Sequence, residues 1–110
     1  MIKDDIITDV GPAAQVQIPA GAQVIDLSNA TVMPGFIDHH LHLMDSISSR
    51  LPNVSSYIFR AQSLAMHHMA GDYTTMVDMG SGDNWATLDM RDAINAGVIP
   101  GPRLQVAGPP

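Results

Sequence analysis

At 110 residues, 45% hydrophobic and 15% charged, the chain has the length and composition of one small folded domain, which argues against a disordered or membrane class. Eleven acidic against five basic residues give a formal charge of −6 and a pI near 4.9; with no basic cluster, a phosphate-backbone surface and hence a nucleic-acid partner is not expected. Cysteine is absent, so disulfide frameworks and thiolate metal sites are excluded, and histidine and carboxylate remain as metal ligands. No apolar run is long enough to span a bilayer, and the start MIKDDIITDV lacks the apolar core of a secretory leader. That slightly favours the cytoplasm, although a leader could precede Met1.

In chain order, residues 1–33 carry short apolar runs at Ile6-Ile7, Val16 to Ile18, Val24 to Leu27 and Thr31 to Met33. Gly11-Pro12, Pro19 with Gly21, and Ser28-Asn29 separate them. Short runs between turn residues predict strands, and Asn29 suits a turn position with positive φ. FIDHHLHL reads as the next strand. From Ser55 the period changes: Ile58, Ala61, Ala65 and Met69 recur at three- and four-residue steps, with Ser55 or Ser56 as N-cap and Gly71 as the stop. YTTMVDMG predicts a strand, NWATLDMRDAINAG a second helix through Leu88, Ala93 and Ile94, and RLQVAG a further strand. Alternation of this kind predicts α/β units with a parallel sheet over residues 34–110. Three strands cannot close a barrel, which takes about 250 residues, so the length points to a piece of something larger.

Three of the five histidines fall within TVMPGFIDHHLHLMD. On a strand with a period of two, Asp38, His40 and His42 share one face, while His39 turns away with Ile37 and Leu41 toward helix packing. His40 and His42 then stand about 7 Å apart at Cα, a spacing from which two imidazoles can converge on one cation. Asp38 is placed to orient a ligand from behind. Taken alone, an H-x-H is more often an ordinary pair of strand histidines than a metal site. His67 and His68 lie on one helix about 100° apart and cannot share an ion, so a solvated or partly packed pair is expected. Asp78 ends a strand, where a loop-capping carboxylate is the simpler role. Asp45 either caps a loop or touches the mouth of the site.

VIDLSNATVMPGFIDHHLHL resembles the first-strand signature of the metal-dependent amidohydrolase superfamily. Pro34, Gly35, Phe36, Ile37, Asp38, His40 and His42 all fit it. GDYTTMVDMGS and LDMRDAINAGVIPGPRLQVAG are similar to the following strand, helix and strand of the branch holding imidazolonepropionase-like amidohydrolases and Xaa-Pro dipeptidases. Asn29 stands where glycine is usual, and Val77 where this branch often has arginine. The resemblance implies an N-terminal fragment: residues 1–33 as part of a small β-sandwich, and residues 34–110 as the first three strands of a (β/α)8 TIM barrel. It implies one or two divalent metals, usually zinc, with His40 and His42 as ligands and Asp38 behind them. It also implies hydrolysis of a C–N bond, in an amide, a cyclic amide or an Xaa-Pro dipeptide, by metal-activated water. The family's lysine or glutamate from strand four, histidines from strands five and six, and aspartate from strand eight lie beyond this chain, so the chain alone is expected to be inactive. The alternatives are a non-catalytic metal-binding or interaction module and a non-functional remnant. A small-molecule or dipeptide substrate is the expected partner, with neither nucleic acid nor membrane.

Overall fold

A computed structural model describes residues 1–44, 53–80 and 85–108; Asp45 lies outside them. The chain divides into two compact units, Met1–Val32 and Met33–Pro110.

In the first unit, β1 (Ile2–Lys3) and β2 (Ile6–Ile7) pair antiparallel, Ile2 opposite Ile7 and Lys3 opposite Ile6. Asp4 turns the corner at φ 57°, a left-handed conformation that a short polar side chain tolerates. Thr8 N–H closes the hairpin on Met1 C=O at 3.0 Å. The remaining strands predicted for this stretch are not formed: Val16 to Ile18, Val24 to Leu27 and Thr31 to Met33 join no ladder. A strand is defined by its partner, and short apolar runs divided by proline and glycine have none here. The turn at Leu27–Ala30 is present, with Ala30 N–H bonded to Leu27 C=O at 2.9 Å. Asn29 nevertheless keeps a negative φ, since Asp4 and Asp72 alone among the described non-glycine residues have positive values.

The second unit runs β3 (Phe36–Leu41), α1 (Val54–Ala70), β4 (Tyr73–Asp78), α2 (Ala86–Asn95), β5 (Arg103–Val106). The three strands form one parallel sheet in the order β3-β4-β5, as the alternating pattern predicts. This is the arrangement that opens an α/β barrel, with three strands and no closure. Helix α1 begins two or three residues earlier than the sequence predicts, because Asn53 is the N-cap in place of Ser55 or Ser56. Its Oδ1 accepts from Ser56 N–H and from Ser56 Oγ, both at 3.0 Å, and asparagine is among the strongest caps. After Gly71, Asp72 turns left-handed at φ 68° and feeds β4.

Ala61 and Ala65, one turn apart on α1, are buried; their small side chains let the helix close on the sheet. There they meet Met76, fully enclosed on the central strand, with Leu104 from β5 and Ala86 and Met90 from α2 completing the layer. Close approach also governs the entry to β3. A Cβ on Gly35 would fall 2.2 Å from Thr74 Oγ1, so only glycine lets the chain pass β4 at that point. Among the described residues, no helix is long and apolar enough to cross a membrane.

Candidate functional site

Strand β3 is an edge strand, and its register against β4 sets the site. Ile37 pairs with Thr75, Asp38 with Met76, and Leu41 with Asp78. Directly paired residues on neighbouring strands point to the same face. Met76 is packed among the helix alanines, so Asp38 and Leu41 are both on the helix side. They are three residues apart on β3 while their partners are two apart on β4, which requires one extra residue in β3. The irregularity between Asp38 and Leu41 is that residue, a β-bulge spanning His39 and His40.

The bulge corrects the simple alternation. Asp38 does not share the face of His40 and His42; its Oδ2 reaches the helix side, 3.7 Å from His68 Nε2 on α1. Its Oδ1 turns back along the strand and accepts from His40 N–H at 3.2 Å. His39 is exposed rather than packed on a helix, and Ile37, paired with Thr75 on the face opposite Met76, is exposed as well.

His40 and His42 come together. Their rings sit edge to face with centroids 5.5 Å apart, His42 lying just past the end of β3. The C-terminal end of β4 holds this corner in two ways. Asp78, wholly buried, accepts from Leu43 N–H at 3.1 Å through Oδ1, the loop-holding role that its position predicts. His42 Nδ1 lies 2.6 Å from Gly80 C=O. A carbonyl oxygen can only accept, so Nδ1 carries the proton and the ring's lone pair is on Nε2. Gly80 can offer that carbonyl because it adopts φ 101°, a conformation closed to most other residues.

The pair fits half of a divalent-metal site. Two imidazoles on one zinc in tetrahedral geometry have ring centroids about 5 Å apart, close to the 5.5 Å seen. A ring whose second nitrogen donates to a backbone carbonyl is the usual form of a metal-binding histidine. Among the described residues no third histidine, cysteine or acid joins them. His67 is exposed, and His68 is half-buried with its ring against Tyr73 at 5.9 Å. Proximity of His68 to Asp38 is a feature that no sequence spacing signals. A separate cavity of about 950 Å³ in the first unit is lined by aliphatic and backbone groups around Ile2, Ile18 and Ile25, with Lys3 beside them, and presents no acid–base pair.

Residues 31–110 match the model of the amidohydrolase family. Among solved structures, the chain is similar to a Xaa-Pro dipeptidase with methionine bound in its active site, at 26% identity and TM-score 0.61 over 69% of this chain and 20% of that one. It is similar to a Bifidobacterium longum protein assigned as a prolidase, at 30% identity and TM-score 0.71 over 92% of this chain and 22% of the other. A third, an amidohydrolase, shares 31% identity at TM-score 0.69 over 86% and 23%. The chain thus spans about one fifth of the length of these proteins. A search of curated protein sequences gives no match.

Proposed function

The chain belongs to the amidohydrolase family, and on that premise we propose that His40 and His42 are two ligands of a divalent metal, zinc in the first instance, in a hydrolase of C–N bonds. The observation that carries this reading is the convergence of the two rings, 5.5 Å apart, with the His42 lone pair fixed on Nε2 by the Gly80 carbonyl. Similarity to a Xaa-Pro dipeptidase and to an assigned prolidase favours dipeptides among the amide, cyclic amide and Xaa-Pro substrates open to the family. A bound divalent cation supplies Lewis acidity, polarising the substrate carbonyl and activating water. The chain's own residues hold and orient. His40 and His42 donate imidazole nitrogens, Asp38 anchors the His40 backbone from behind the strand, and Asp78 fixes the turn that carries Leu43. A catalytic zinc site normally has three protein ligands, so the 110 residues alone should not turn over a dipeptide.

Zinc binding to the purified chain tests the assignment. His40→Ala and His42→Ala should each weaken affinity by about 100-fold or more, beyond the 10–100-fold typical of residues behind the ligands. His39→Ala should leave it unchanged. Loss of zinc in the His39 variant, or wild-type affinity in either of the others, would sink the assignment.

A further inference from the structure

The strongest feature not absorbed by the ligand pair is a line of contacts that crosses from α1 to the His40 backbone. On α1, His68 Nδ1 lies 3.0 Å from Leu64 C=O, one helical turn back. Its ring stands edge to face on Tyr73, and its Nε2 is 3.7 Å from Asp38 Oδ2. The other oxygen of the same carboxylate accepts from His40 N–H at 3.2 Å. At 3.7 Å the contact between His68 and Asp38 is longer than a hydrogen bond and acts on the carboxylate electrostatically. Both members are about a quarter exposed, which screens the pair without removing its orienting effect.

We propose that His68 is a positioning residue for His40, acting through Asp38, so that α1 sets the placement of the bulged strand. The physical need is local. A β-bulge disrupts the ladder and leaves a main-chain amide to be satisfied by something else. Here the Asp38 carboxylate serves that amide, and a carboxylate free to rotate about its side-chain torsions would hold it only part of the time. His68 is itself held by Leu64 and Tyr73, and it draws Oδ2 toward the helix so that Oδ1 stays turned to His40. The adjacent His67 is exposed and has no such part. This proposal rests on the reading of His40 as a metal ligand.

Two variants of the full 110-residue chain separate the donor from the ring. His68→Phe keeps the edge-to-face packing on Tyr73 and removes the donor; His68→Gln keeps an N–H near the position of Nε2 and removes the ring. The readouts are hydrogen exchange at the His40 amide without metal, with the Met76 amide as a control for the fold, and zinc affinity by chelator competition. His68→Phe should speed exchange at His40 and weaken zinc binding by about tenfold each, the lower end of what loss of a residue behind a ligand produces, with Met76 exchange unchanged. His68→Gln should stay within about threefold of wild type in both. Wild-type behaviour of His68→Phe in either readout overturns the proposal, as does a His68→Gln variant as impaired as His68→Phe. His40→Ala is measured alongside. If it binds zinc as wild type does, the ligand reading itself has failed; if it loses zinc while His68→Phe does not, the positioning role alone has failed.

Discussion

The two units of the chain have similar kinds of residue and opposite fates for them. In Met1–Val32 the aliphatic side chains stay in water: Val10 is 83% exposed, Ile2 73% and Ile25 69%, and Val16 alone is partly covered. In Met33–Pro110, Leu43, Ala65 and Met76 are fully enclosed. Apolar content does not account for the difference. A strand-helix-strand unit brings its own cover, since the helix that links two parallel strands lies on the sheet they form. A two-stranded hairpin has no second layer and cannot bury a face. The comparison teaches that a core is a property of layered geometry, and that exposed aliphatics on such a scale are the part of a molecule that calls for explanation.

Five substitutions sharpen the contrast. Met76→Ala should produce the largest effect, a loss of about 2–5 kcal/mol in urea unfolding as expected for emptying a closed core site. Ile25→Ala should change stability by less than about 0.5 kcal/mol; equal losses at the two positions would erase the distinction between the units. Gly35→Ala comes next. Its new methyl meets Thr74 Oγ1 at 2.2 Å, and overpacking of this kind costs about 1–3 kcal/mol, read as a lower thermal midpoint. An unchanged midpoint would mean that Thr74 can move aside. Asn53→Ala removes the cap of α1 and should cost about 1 kcal/mol, with exchange rising first at the Ser56 amide that Asn53 now holds. The smallest effect belongs to the exposed unit. The Ser28 backbone N–H beside Asp26, with a smaller side-chain contribution, holds that carboxyl below the usual aspartate range. Its folded value is depressed, so its contribution is complete above the ordinary aspartate pKa and is lost as pH falls through the folded one. An NMR titration of the Ser28 amide should therefore show a midpoint on the acid side of the ordinary value. Asp26→Ala should leave urea unfolding near neutral pH unchanged within error, because the site is fully exposed.

The second unit was legible in the chain to a degree that the first was not. Helix α1 follows from the steps Ile58, Ala61, Ala65 and Met69, and β4, α2 and β5 follow from runs whose period and stops are local. Their partners lie within the same unit, so local preference and tertiary structure agree. The three missing strands of the first unit had the same local credentials and no partner to pair with.

The candidate site divides along the same line. The residue types, the H-x-H spacing and the Pro-Gly entry were fixed by the amino-acid sequence, because they are chemistry and short-range geometry. Only the tertiary structure put Asp38 on the helix side, introduced the bulge at His39–His40, brought Gly80 to His42 and set His68 against Asp38. A period of two predicts which way a side chain points only while the ladder is regular. Whether it stays regular is decided by the register between β3 and β4, strands joined through α1, and by packing that lets Asp38 and Leu41 face the same helix layer.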